Sequence, residues 1–347
     1  KPQAFTFFPP APDTPRLQFL TGFAKESDLR GGSDSFATFV AGKPPASKPI
    51  TKPYGVALHK GKIFVVDTVL ACLEVVDLEK RQMRYWIPQG EGRLRMPINV
   101  CVDKDGTRYV TDTIRRQVLI YGADESYLGA IGENLAVAPV RDSETGTPQA
   151  NTNAWKPVDV LVTQDRIMVT DITSQSVKVY NKADRQLLFS VPAGGSNDTN
   201  KLFQPTNLAV DSQGRIYVSD TGGFRVQQYD ASGKFLRTIG EQGIVPGSFA
   251  LPKGIAVDRE DRLYVVDAAT QVVQIFDPQG RLLMYFGEPN KSAAGLNLPA
   301  KVVVDYDHVS HFQKYAAPNF VLEYLVIVTN QYGERKVSVY GFGHPRS

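Results

Sequence analysis

Proline recurs along this chain in a fixed context. Six times it opens a short apolar segment: Pro53-Tyr-Gly-Val-Ala, Pro97-Ile-Asn-Val-Cys-Val-Asp, Pro157-Val-Asp-Val-Leu-Val, Pro205-Thr-Asn-Leu-Ala-Val-Asp, Pro252-Lys-Gly-Ile-Ala-Val-Asp and Pro299-Ala-Lys-Val-Val-Val-Asp. A second apolar segment follows each time and closes on Asp67, Asp112, Asp171, Asp220, Asp267 or Asn330. The intervals are 44, 60, 48, 47 and 47 residues, and a repeat of that length holding several short strands predicts propeller blades. Four strand signals fill each repeat. In the fifth they are Ile255 to Val257, Leu263 to Val266, Val272 to Phe276 and Leu282 to Phe286, parted by the polar turns 258–261 and 277–280. Val, Ile, Tyr and Phe dominate these segments, as half-buried antiparallel strands require.

The two chain ends complement each other. The sixth repeat stops soon after its third strand, Val337 to Tyr340, while a spare strand, Arg16 to Gly22, precedes the first repeat. The expectation is an all-β, six-bladed propeller of four-stranded antiparallel blades, closed by residues 16–22 completing the last blade. Such closure removes open strand edges. Residues 1–347 then form one domain, with 1–15 as an N-terminal extension, 23–52 as a capping segment, and insertions at 133–156 and 306–324.

Charge excludes little but weights the partner. Lys and Arg number 39 against 36 Asp and Glu, a net +3, too small a surplus to predict nucleic acid. No apolar run spans a bilayer. The chain opens on Lys1, which predicts processing or truncation; a removed signal peptide accounts for it, and membrane attachment would come only through a lost lipid anchor. The two cysteines, Cys72 and Cys101, are expected as buried free thiols, a disulfide being the less favoured alternative because first and third strands lie at different radii. No Cys-x-x-Cys-His is present, so covalent haem is not expected.

Departures from the repeat are where function is sought. Segment 23–52 contains Ser33-Asp34-Ser35-Phe36 and then Phe39, Val40 and Gly42. This pattern predicts a short capped helix over one end of the ring, with a lid over the channel as the sharper alternative. Insertion 133–156 ends at Trp155, either a recognition anchor or a wedge between blades. Insertion 306–324 carries His308 and His311 three residues apart. Without a third ligand it is expected to be a structural cap on the opposite face rather than a zinc site.

Three sets of polar residues stand out. The residues ending the second strands are expected to accept backbone N–H bonds in the turns that follow. The positions two after each proline are Gly55, Asn99, Asp159, Asn207, Gly254 and Lys301, and they should approach the ring axis. Asn99, Asp159 and Asn207 supply oxygen from consecutive blades, a donor type suited to calcium, while Lys301 lies across the ring and can neutralise Asp159. The third set is a cationic face of Arg115, Arg116, Arg225, Lys253, Lys52 and Lys156, with Tyr332 nearby. No aromatic interleaves with these cations as base stacking would want, so protein rather than RNA is the expected partner. There is no Ser nucleophile elbow, no Gly-rich phosphate loop, and only four histidines, which points away from an enzyme.

Blades 4 and 5, Pro205 to Gly240 and Pro252 to Gly287, with Asp220-Thr-Gly-Gly-Phe-Arg225-Val-Gln, resemble the NHL-repeat family. That family includes RNA-binding modules, sensor domains and a lyase whose channel histidines bind zinc; no such histidines stand in these blade cores. The opening Pro9 to Gln18, and Tyr315 to Phe320, Glu323-Tyr-Leu and Thr329 to Gly333 at the other end, look like exported bacterial NHL-repeat proteins. Many of those begin as lipoproteins and occur alongside multihaem cytochromes. The resemblance implies a periplasmic, outer-membrane or extracellular location in a Gram-negative bacterium. It also implies a non-enzymatic scaffold whose partner is a protein, such as a multihaem cytochrome or export machinery. The Asn99, Asp159 and Asn207 set resembles the channel metal site of gluconolactonase and paraoxonase propellers, although the Glu ligand of those enzymes has no clear equivalent. That implies the alternative of a calcium-dependent hydrolase or lactonase; a nucleic-acid-binding module ranks last.

Overall fold

The computed structural model describes residues 5–30, 49–132, 155–195, 197, 199–287 and 294–346. The six predicted blades are present as six separate antiparallel sheets. Blade 1 comprises β3 (Pro53–His59), β4 (Lys62–Asp67), β5 (Cys72–Asp77) and β6 (Gln82–Trp86). Blade 2 holds β7 (Pro97–Val102) to β10 (Tyr127–Gly132), blade 3 β11 (Pro157–Val162) to β14 (Leu187–Val191), and blade 4 β15 (Pro205–Val210) to β18 (Phe235–Ile239). Blade 5 runs from β19 (Pro252–Val257) to β22 (Leu282–Phe286). The last blade joins β23 (Pro299–Asp305), β24 (Phe320–Asn330) and β25 (Val337–Pro345) to β2 (Leu17–Phe23) from the other chain end.

Closure therefore follows the expectation, with one addition. The N-terminal extension supplies a fifth strand, β1 (Thr6–Phe8), which pairs with β2 at Thr6↔Phe19 and Phe8↔Leu17. β2 lies against β25 from Leu17↔Phe342 to Phe23↔Val337.

The apolar core is divided among the blade interfaces. Tyr109, Val118 and Ile120 of blade 2 pack on Val160, Ile167 and Val169 of blade 3, and comparable clusters fill the other five seams. Second and third strands are thus covered on both faces; Arg108–Asp112 and Gln117–Tyr121 are buried throughout. That is why they read as continuous β-branched and aromatic runs rather than alternating ones.

A wedge repeats at each seam just before the proline: Ile50, Leu94, Trp155, Leu202, Phe249 and Leu296 are all buried. The glycine closing the preceding strand makes room for three of them. A Cβ on Gly132 would lie 1.9 Å from the Trp155 ring, and one on Gly240 would lie 2.2 Å from Phe249. Both glycines also have positive φ, 118° and 76°, a region open to glycine at little cost.

Of segment 23–52, residues 31–48 carry the predicted helix and lie outside the described residues. The part that is described forms a one-turn helix, α1 (Glu26–Leu29), set beside β2 and β6. Residues 133–154 of the second insertion also lie outside the described residues. Insertion 306–324 forms α2 (Val309–Phe312) and a 3-10 turn, Gln313–Tyr315. Phe312, Ala317 and Phe320 enter the cluster between blades 6 and 1, so these three residues are part of the apolar packing. Among the described residues no helix is long and apolar enough to cross a membrane.

Candidate functional site

Every first strand is interrupted two residues after its proline. The register with the second strand slips between Pro97 and Val100, Pro157 and Asp159, Pro205 and Asn207, and at the same place in the other blades. The bulge frees a backbone N–H, and a hydroxyl on the second strand accepts it. Asn99 N donates to Thr111 Oγ1 at 3.0 Å, Asp159 N to Thr170 Oγ1 at 2.8 Å, Asn207 N to Ser219 Oγ at 3.1 Å and Lys301 N to Thr329 Oγ1 at 3.1 Å. Blades 1 and 5 have Val66 and Val266 there and Gly55 and Gly254 at the bulge. These glycines clear space: a Cβ on Gly55 would stand 2.4 Å from Asn99 Oδ1, and one on Gly254 would stand 2.5 Å from the Lys301 Cα.

The bulge residues meet at the upper end of the channel, on the face carrying the inter-blade loops. Lys301 Nζ reaches Asp159 Oδ2 at 2.7 Å from the opposite side of the ring. The same oxygen accepts Asn207 Nδ2 at 3.2 Å and Leu208 N at 3.0 Å, while Asp159 Oδ1 accepts Val160 N at 3.0 Å. Asn99 Nδ2 donates to Val158 O at 3.5 Å. Asn99 Oδ1 and Asn207 Oδ1 are buried without a partner among the described residues. Below the pair lies a channel cavity of about 270 Å³, walled by Val56, Val100, Val160, Leu208, Ile255 and their neighbours, with Cys101 and Lys301 among its lining.

Asn99, Asp159 and Asn207 are thus brought together as the sequence suggests, but Asp159 is already engaged. Four donors converge on its carboxylate, one of them a cation. The set as arranged does not fit a divalent ion, whose charge would sit beside a lysine ammonium. Among the described residues, no three His, Cys, Asp or Glu side chains group as metal ligands.

The acids that close the second strands are also spent, on backbone N–H groups. Asp67 accepts Thr51 N, Lys52 N, Val69 N and Leu70 N. Asp112 accepts Arg95 N, Met96 N and Arg115 N, and Asp267 binds four N–H groups in the same way. Each carboxylate ties its own turn to the preceding inter-blade loop.

Several sequence candidates turn out to be structural. Trp155 is 7 % exposed and packs between blades 2 and 3; this corrects the reading of it as an exposed anchor. The recurring apolar residue just before each proline was the signal for that role. Arg115 donates to Glu91 O and Arg93 O at 2.6 and 2.8 Å. Arg225 donates to Lys201 O at 2.8 Å and Asp220 Oδ2 at 3.3 Å. Arg116 has a φ of 55°, as Ala71, Gln175, Phe224 and Gln271 have similar values at the same turn of other blades; its position is a feature of the repeat.

The cations do have aromatic neighbours, contrary to the sequence-based expectation. Lys201 and Arg225 lie over Phe203, at 5.1 and 5.6 Å from the ring centre. Lys52 lies 5.8 Å from the Tyr332 ring and Lys253 5.9 Å from Tyr54. Sequence separation hid the last two pairs, which form only when blades 5, 6 and 1 close; the pairs on Phe203 lie within blade 4. Half-burial, then the charge of Lys52, lowers the Lys253 ammonium below the usual lysine range. Burial, then the charge of Asp159, raises the Tyr54 phenol.

Exposed apolar side chains follow the same geography. Val69, Leu70, Ile87, Met96, Ile114, Phe203, Ile244, Val245 and Tyr332 all stand on upper-face turns and loops. The remaining large exposed ones, such as Leu128, Leu187 and Leu283, lie on the outermost strands. No large exposed apolar side chain is found on the lower face among the described residues.

The architecture has known relatives. A family model described as a six-bladed β-propeller matches residues 196–288, which span blades 4 and 5. A comparison with curated proteins gives no match. Among solved structures, the chain is similar to a gluconolactonase from Xanthomonas campestris, with 16 % identity, 99 % of each chain covered and a TM-score of 0.55. It is similar to a calcium-binding protein, regucalcin, from Agrobacterium tumefaciens, with 11 % identity, 86 % of this chain and 93 % of that one covered, and a TM-score of 0.54. It is also similar to an inactive virginiamycin B lyase from Staphylococcus aureus with quinupristin, with 10 % identity, 84 % and 96 % covered, and a TM-score of 0.52. At these identities the likeness carries the fold alone.

Proposed function

We propose that this protein is a binding propeller that engages an acidic, partly apolar surface of a partner protein through its upper face. One observation carries the reading: apolar side chains and cations gather on that face, while its conserved-in-repeat carboxylates are consumed by backbone N–H bonds. An interface of this composition has apolar anchors for affinity and cations for orientation. Lys52, Lys253 and Tyr332 around the channel mouth are its central residues, with Phe203, Ile244 and Val245 further out. The resemblance to exported propellers makes cell-envelope proteins, multihaem cytochromes among them, the first class to test.

The experiment compares immobilised wild type with Lys52→Glu/Lys253→Glu and with Lys80→Glu, a charge reversal on the lower face. A single protein from a native envelope extract is expected to be retained by wild type and by Lys80→Glu, and about tenfold less by the double variant. Equal retention by all three would remove the upper face from consideration. The hydrolase alternative draws on the likeness in fold to a gluconolactonase, but the channel carboxylate it would use is held by Lys301.

A further inference from the structure

We infer that Lys301 supplies from within the chain the cation for which the Asn99, Asp159 and Asn207 cluster is shaped. The channel cluster is then a metal-independent lock across the ring, and removing the lysine side chain turns it into a calcium site. Three observations combine. Lys301 and Asp159 belong to blades 6 and 3, are 142 positions apart in sequence, and pair at 2.7 Å with side chains 9 % and 1 % exposed. The cluster keeps two buried amide oxygens, Asn99 Oδ1 and Asn207 Oδ1, without a partner, and the ammonium carries two N–H donors beyond the one given to Asp159. Gly55 and Gly254 are the positions where any side chain would collide with Asn99 or with the Lys301 backbone.

A carboxylate with amide oxygens from two neighbouring strands is a hard-cation donor set. An ammonium satisfies the charge of the set, but here only Asp159 Oδ2 lies within its reach. That leaves amide oxygens unmet, as observed. Taking the ammonium away leaves a buried, uncompensated carboxylate, the costly half of a broken pair. A divalent ion then has the vacated position beside Asp159 Oδ2, in a cluster that also holds the two unpartnered amide oxygens of blades 2 and 4.

The test uses the full chain as wild type, Lys301→Ala, Lys301→Met, and Lys301→Ala/Asp159→Asn. Each is melted in EDTA and in CaCl2, and calcium binding is read by calorimetry. Wild type should melt alike in both and bind no calcium. Lys301→Ala should melt lower in EDTA and recover by about 5 °C at calcium a hundredfold above its Kd. Lys301→Met fills the space without charge and should show no recovery, and loss of the Asp159 charge should abolish the recovery in the double variant. Stoichiometric calcium binding by wild type would overturn the inference, because Lys301 would then be displaceable. So would a Lys301→Ala protein that melts identically with and without calcium, or that fails to fold when calcium is added during refolding.

Discussion

Glu74 places a carboxyl inside blade 1. It is fully buried, and among the described residues no N–H group reaches its two oxygens; the Asp67 carboxylate is the hydrogen-bond partner open to its protonated form. Opposite Val65 it takes the register that Gln227 and Gln274 hold opposite Val218 and Val265, where those amides bond to Lys201 O and Ser248 O. Burial, then the charge of Asp67, raises its carboxyl to about 10, so near neutrality it is a protonated acid standing in for an amide. A folded value above the unfolded one means stability that is full below the ordinary carboxylate range and falls as pH rises toward 10. The loss accumulates with each pH unit between the two values. Glu74→Gln should therefore melt increasingly above wild type from about pH 5 to about pH 9; parallel curves would refute a buried neutral acid. At the seam beside blade 3, Trp155→Ala should cost about 3–5 kcal/mol in a denaturant titration, as for a buried aromatic wedge. Of these two roles only the second was readable beforehand, from Ile50, Leu94, Leu202, Phe249 and Leu296 at the matching place. The first needed strand register.

At the scale of elements, the insertion between β23 and β24 joins the first and last blades. His308 is 5 % exposed. Its Nδ1 meets Asp305 Oδ2 at 2.9 Å, and its Nε2 accepts Gly61 N of the first hairpin at 2.8 Å. The Asp305 carboxylate holds the imidazole above its ordinary range, while the Gly61 N–H requires a lone pair on Nε2 and works against the proton. Gln18 of β2 completes the junction, donating to Tyr315 O at 3.0 Å and accepting Ala317 N at 2.9 Å. His308→Ala leaves the Gly61 N–H without its acceptor and removes the ring's bond to Asp305 Oδ2, and should cost about 1–3 kcal/mol. A melt unchanged from wild type would show that the insertion merely rests on blade 1. The sequence marked this segment by its length and its two histidines, but Gly61, whose N–H His308 accepts, lies 247 positions away in the chain, beyond any local pattern.

For the whole molecule, closure depends on β2. It covers the β25 edge from Leu17 to Phe23 and is itself covered by β1. A chain lacking residues 1–23 should expose a long apolar edge and associate, since open edges of that kind recruit further strands. Size-exclusion chromatography should show dimers or larger species; a stable monomer would mean that the Lys301–Asp159 bond and the blade interfaces hold the ring unaided.

The sequence determined the number of blades and the approximate place of their strands, because these depend on patterns within about one repeat. It matched the two chain ends because one blade lacked a strand and one strand was spare; the start of β24, at Phe320 inside the expected insertion, went unread. It also named the six bulge positions and the turn acids. What the tertiary structure alone decided is which of these residues meet. Lys301 finds Asp159, Lys253 finds Tyr54, and His308 finds Gly61 only once the ring brings distant blades to one axis or one seam. Strand patterns are local, whereas closure of a ring is a property of the whole chain. The residues that its closing sets side by side share no spacing that a linear reading can register.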